Sequence, residues 1–197
     1  MTWRNGVASA ALAAALLQVG AARGADVPSF DILIKNGVIY DGSGEEPYRG
    51  EVAISGDRIV AVGTSLPGSA KQVVDAKGLA VAPGFINMLS WATESLLIDG
   101  LGQSALRQGV TLEVMGEGWS MGPLNDRMKK QAVEQQGDFK FPIEWTTLGE
   151  YLSLIERRGT SMNVASYVGA TTIRQHELGD DDVDPNPEQL QRMRALV

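Results

Sequence analysis

The rhythm of the chain changes at Pro83-Gly84, and that change limits the folds open to it. Before it, short alternating apolar runs are split by turn residues, as in strands half-buried in a small antiparallel unit. After it, short apolar runs alternate with stretches of helical period, a βαβ beat that calls for parallel strands with helices packed on them. The fold class that follows is α/β.

In the first part, Asn36-Gly37 lies between Ile32-Leu33-Ile34 and Val38-Ile39-Tyr40 and predicts a tight hairpin turn, since both residues tolerate positive φ. Glu51 to Ile54 and Arg58 to Val62 predict a second hairpin around Ser55-Gly56-Asp57. Val73-Val74-Asp75 and Leu79-Ala80-Val81-Ala82 are two further strand-like pieces. Asp41-Gly42-Ser43-Gly44 lacks the downstream Lys and helix start of a phosphate cradle, so it reads as an inter-strand turn.

In the second part, strands are expected at Phe85 to Leu89, Val110 to Met115 and Asn163 to Val168. Helices are expected over Ser95 to Gln108, near Thr147 to Arg158, and from Pro185 onward, with a long Gly-, Pro- and charge-rich connection after Gly116. A closed (β/α) barrel requires about eight such units, more than this chain supplies.

Composition narrows the function. The formal charge of -7 argues against a nucleic-acid partner, because phosphate binding needs a concentrated face of Lys and Arg. Without cysteine there is no disulfide framework, thiolate metal site or thiol nucleophile. Arg4, the apolar run Val7 to Leu17 and the small residues of Ala22-Arg23-Gly24 predict a secretory signal peptide over 1–24, cut before Ala25. A secreted or periplasmic protein, with no stable membrane insertion after cleavage, is the expectation.

Pro83-Gly84-Phe85-Ile86-Asn87, entering the second part after the β unit, resembles the amidohydrolase superfamily. Asp31-Ile32-Leu33-Ile34-Lys35-Asn36-Gly37, Asp41-Gly42-Ser43-Gly44, Gly109-Val110-Thr111 and Asn163 to Gly169 look most like its N-acyl-D-amino-acid deacylases. The resemblance implies a β-sandwich part over 25–82 and the first units of a (β/α)8 TIM-like barrel over 83–197. It also implies a hydrolase of non-peptide C–N bonds, with an N-acyl amino acid or related amide as substrate. A divalent metal, zinc foremost, would activate water there, lowering its pKa and polarising the carbonyl.

The pattern breaks where the metal ligands belong. The places of the superfamily's His-x-His pair hold Leu89 and Trp91, neither able to coordinate a metal. The deacylases' Gly-Asn-Cys-Gly stretch is Gly116-Glu117-Gly118-Trp119-Ser120 here. Glu117 is the natural stand-in as a metal ligand, against the alternative of a solvated loop carboxylate. Mid-strand Glu113 needs a partner if buried, and structural pairing is its expected role.

His176, the only histidine, and Arg174 follow the third strand and are candidates for substrate binding, Arg174 toward a carboxylate. Trp119, with Trp91 and Trp145, is a candidate wall for an acyl pocket, with core or rim packing as the alternative. Ser90 and Ser120 have no visible triad partner beyond His176. Three readings stay open: a C–N hydrolase, a non-catalytic relative that keeps the fold to bind a small ligand, or a truncated relative without activity of its own.

Overall fold

The structure, a computed structural model, describes residues 28–197, so the leader expected over 1–24 lies outside the described residues. The described residues divide into two compact units, one ending at Val81 and the other running Ala82–Val197. Among the described residues no helix is long and apolar enough to cross a membrane.

The first unit is one five-stranded sheet. Strand β1 (Ser29–Ile39) lies between β2 (Tyr48–Ser55) and β4 (Ser69–Asp75), β3 (Arg58–Gly63) pairs with β2, and β5 (Ala80–Val81) pairs with the end of β1. The β2–β3 hairpin forms as the sequence predicts, with Ser55 opposite Arg58 and Gly56 at a φ of 59° in the turn. Asp41 to Gly44 is a turn, its Asp41 carboxylate accepting from the Ser43 N–H at 3.0 Å.

Two expectations fail here, for physical reasons. Asn36-Gly37 does not reverse the chain: β1 runs straight through it, and both of its halves pair with β2. Between the pairs Ile34–Val52 and Gly37–Gly50, Lys35 and Asn36 oppose Glu51 alone, which is a β-bulge. Asn36 does adopt a φ of 58°, but its side-chain amide donates to Asp75 at 2.9 Å and holds β4 alongside. The sheet is also mixed, since β4 and β5 run parallel to β1. Apolar alternation reports which face a side chain takes, not the direction of the neighbouring strand. Phe30, Leu33 and Ala53 form its small buried core.

The second unit holds three parallel strands in sequence order, β6 (Phe85–Asn87), β7 (Val110–Met115) and β8 (Asn163–Ser166). The described residues close no barrel. The helix expected over Ser95 to Gln108 is instead two single turns, α1 (Ser95–Ile98) and α2 (Gln103–Leu106). Asp99 breaks it by accepting from the Leu101 N–H at 2.9 Å, and Gly102 has a φ of 49°. Gly100 lies so close to Gly159 that a Cβ would fall on the Gly159 carbonyl. The helix was expected here because the apolar spacing is helical, and the local Asp and Gly contacts override it.

The long connection contains a helix the sequence reading missed, α3 (Asp126–Gln135), capped by Asn125, whose Oδ1 accepts from the Met128 N–H at 2.9 Å. Helices α4 (Leu148–Arg158), α5 (Ala170–Leu178) and α6 (Pro187–Ala195) complete the unit. Its core gathers Leu96, Leu97, Met115, Leu124, Met128, Phe141, Trp145, Tyr151 and Ile155. Each such side chain is worth about 1.5–3 kcal/mol of burial, which anchors the loops between β7 and α4. Tyr151 is fully buried and donates to the Thr93 carbonyl at 2.7 Å. Burial, with the charge of Glu94 as a lesser cause, pushes its pKa up, so it remains a neutral donor.

Helix α4 begins in a capping box: Thr147 Oγ1 accepts from the Glu150 N–H at 3.1 Å, and Glu150 accepts from the Thr147 N–H at 2.9 Å and the Thr146 N–H at 2.7 Å. Those backbone donors hold the Glu150 carboxyl below its ordinary 4.5. A carboxylate whose pKa is lowered by folding stabilises the fold above its unfolded value, and that stability is lost as pH falls through the folded value. The urea midpoint of Glu150→Gln should therefore lie below that of the parent at neutral pH and converge on it in acid as the Glu150 carboxyl is protonated, when the two are compared by circular dichroism.

Candidate functional site

A cavity of about 490 Å³ opens where β6 and β7 end. The C-terminal ends of parallel strands are where loops of α/β folds converge and where their ligands bind. Four segments wall it. Leu89 to Glu94 follows β6, Gly116 to Leu124 follows β7, and α3 and α5 contribute Met128, Gln131, Gln135, Thr172 and Gln175.

The loop after β7 is held by hydrogen bonds to itself and to the start of α5. The Ser120 hydroxyl donates to the Gly122 carbonyl at 2.6 Å and accepts from the Gly169 N–H at 2.9 Å. The Ser120 N–H donates to Thr172 Oγ1 at 2.8 Å, and the Thr171 N–H donates to the Gly118 carbonyl at 3.0 Å. These bonds need close approach. A Cβ at Gly169 would fall on the Gly118 carbonyl, and one at Gly116 on the Tyr167 carbonyl. Gly116 and Gly169 are thus required by the close approach of the loop to the chain between β8 and α5.

Helix α3 is fixed to α5 in the same way: Asn125 donates to the His176 carbonyl at 2.9 Å and Arg127 to the Gln175 carbonyl at 2.6 Å. Below the loops, buried Glu113 accepts from the Asn87 amide at 2.8 Å, and Asn87 Oδ1 accepts from the Leu89 N–H at 3.3 Å. Glu113 is paired structurally, as expected for a mid-strand carboxylate, and it steadies the segment that carries Leu89.

The sequence candidates separate into two groups. Glu117, Trp119 and Trp91 line the cavity and are exposed there. Trp145 does not: it is buried, stacked on Phe141 with ring centroids 6.4 Å apart, and its indole donates to the Met121 carbonyl. Arg174 and His176 stand on α5, not on a loop, and neither lines the cavity. The Arg174 guanidinium donates to the carbonyls of Asp181 at 2.9 Å and Val183 at 2.7 Å, which occupies it in holding the following turn. The imidazole Nδ1 of His176 is buried without a partner among the described residues. Its neighbour Glu177 is engaged by Arg192, whose hydrogen bond holds the Glu177 carboxyl below its ordinary value.

Neither serine is set up as a nucleophile. Ser90 Oγ accepts from the Ala92 N–H at 3.2 Å, and the Ser120 hydroxyl is committed on both sides. The α3 wall, with Leu124, Met128, Gln131 and Gln135, was missed; the Asn125 cap was the available signal.

The residues present do not fit a metal ion. Zinc takes three or four nitrogen, sulfur or oxygen ligands, whereas the cavity offers the carboxylates of Glu94 and Glu117 with no imidazole or thiolate. Among the described residues no three His, Cys, Asp or Glu side chains gather into a ligand set.

No family model matches the chain. It is 31% identical over 176 residues to a D-aminoacylase of Alcaligenes xylosoxydans xylosoxydans, covering 87% of this chain and 36% of that protein. A crystal structure of D-aminoacylase, described as defining a novel subset of amidohydrolases, superposes with a TM-score of 0.71 at 29% identity, over 85% of this chain and 35% of the other. An N-acyl-D-glutamate deacylase from Bordetella bronchiseptica, solved with zinc and a phosphonate mimic of the reaction's tetrahedral intermediate, gives 0.68 at 25% identity, over 86% and 35%. The chain thus spans about a third of the length of the relatives it matches.

Ser120→Ala should leave the Gly169 N–H without its acceptor in a buried loop and cost about 1–3 kcal/mol in urea unfolding. A serine acting as a nucleophile would instead lose turnover with an unchanged unfolding midpoint.

Proposed function

We propose that the chain, which is similar over most of its length to D-aminoacylase-type amidohydrolases and spans about a third of theirs, belongs to a hydrolase of the C–N bond in N-acyl amino acids. The observation that carries this reading is the cavity at the ends of β6 and β7, where a barrel hydrolase holds its substrate. Buried Leu124 and Met128 give the cavity an apolar floor suited to an acyl chain. Trp119 on the rim flanks the amino-acid end of the substrate. A divalent ion, which the deacylase structure above holds as zinc, would find only Glu94 and Glu117 in this cavity, so the role given to these residues is binding and orientation.

Export is part of the proposal. It is supported by Arg4, the apolar run Val7 to Leu17 and Ala22-Arg23-Gly24, which together suit a cleaved leader and a secreted or periplasmic place of action.

Leu89 and Trp91, in the places where the resembled superfamily has histidines, favour a second reading in which the fold binds a small ligand without hydrolysing it. The purified protein, incubated with N-acetyl-D-methionine and its L enantiomer, should release free amine at a rate that saturates with substrate. Folded protein that binds these amides and releases no amine would leave the second reading standing.

A further inference from the structure

The cavity rim has an unusual balance of charge. Of the residues that line it, Glu94 and Glu117 are ionisable carboxylates, and Lys, Arg and His are all absent. Both glutamates are exposed at the rim, and neither carboxylate accepts a hydrogen bond or enters an ion pair among the described residues. Glu113, Glu150 and Glu177 of the same unit are, by contrast, engaged by Asn87, by the cap of α4 and by Arg192. Trp91 and Trp119 stand on the same rim, 71% and 49% exposed, so their ring faces remain open to a ligand.

Aromatic faces and unpaired carboxylates share one preference. A ring's quadrupole attracts a cation over its face, and the attraction strengthens as water is displaced. Two like charges on one concave rim also lower the potential inside it, which favours a cation and repels an anion. The three glutamines, Gln131, Gln135 and Gln175, offer neutral amides and no compensating positive charge.

We propose that this rim is a binding site for an organic ammonium group, the charged side-chain end of an N-acyl diamino acid whose acyl chain lies on the apolar floor. This rests on the cavity being the substrate site. It sets the chain apart from the N-acyl-D-glutamate deacylase it resembles, whose substrate carries an acidic side chain.

The test is isothermal titration of the protein with n-butylammonium chloride, butyramide and sodium butyrate, three probes of equal length and different charge. The ammonium should bind about tenfold more tightly than the amide, as a cation does over aromatic faces and carboxylates, and butyrate more weakly than either. Glu94→Gln with Glu117→Gln should reduce the preference for ammonium over amide to about threefold, the part that the ring faces of Trp91 and Trp119 supply, because exposed isosteric changes keep the fold and remove only the charge. Raising salt from about 0.05 to about 0.5 M should weaken the ammonium alone in the unmodified protein, since exposed charges are screened. Ammonium binding no tighter than the amide, or a preference that both substitutions leave undiminished or that is indifferent to salt, would overturn the proposal. Turnover separates it from the wider reading: hydrolysis of N-acetyl-D-norleucine and N-acetyl-D-lysine with equal KM would sink the ammonium site and leave the deacylase, while ammonium binding without hydrolysis would do the reverse.

Discussion

The mouth of the parallel sheet depends on one buried seam of hydrogen bonds with the Ser120 hydroxyl at its centre. Ser120 bridges the Gly122 carbonyl and the Gly169 N–H, so the loop after β7 and the start of α5 share one buried hydrogen-bonded seam. A buried backbone group that loses its partner costs more than a formed bond gains, which makes the seam all-or-none. From it follow the position of Glu117 and Trp119 on one side and of Thr172 and Gln175 on the other. Tyr151 performs the corresponding task for the loop after β6, holding the Thr93 carbonyl from the core of the unit.

Much of the fold was legible because its strands are short and bounded by clear turn residues. The three parallel strands and the β2–β3 hairpin fall where the apolar runs and Gly56 place them. What the sequence hid was the competition between local and distant partners. Asn36 has the conformation of a hairpin turn but is drawn by Asp75 into a bulge, and that partner is thirty-nine residues away. Helix α3 sits in a stretch whose glycines and charges read as loop, and only its Asn125 cap betrays it.

The site was legible in part, and for a related reason. Glu117, Trp91 and Trp119 follow strands directly, so the sheet itself delivers them to the cavity. Arg174, His176 and Trp145 were harder to place, because a side chain on a helix or in a core goes where packing sends it. Arg174 turns to two backbone carbonyls and Trp145 into the aromatic stack with Phe141. With Leu89, Trp91 and Glu117 after its strands and Leu124 and Met128 beneath them, the cavity is apolar below and anionic at its edge.

Gly116, Gly122 and Gly169 also determine how this cavity can diversify. At each of them a side chain would collide with backbone, so random change there removes the scaffold before it alters recognition. The neighbouring Glu117 and Trp119 are exposed and bear no such obligation. Evolution, natural or in the laboratory, therefore has a narrow set of dials: swapping those rim side chains redirects selectivity while the rigid glycine frame passes unchanged from one specificity to the next.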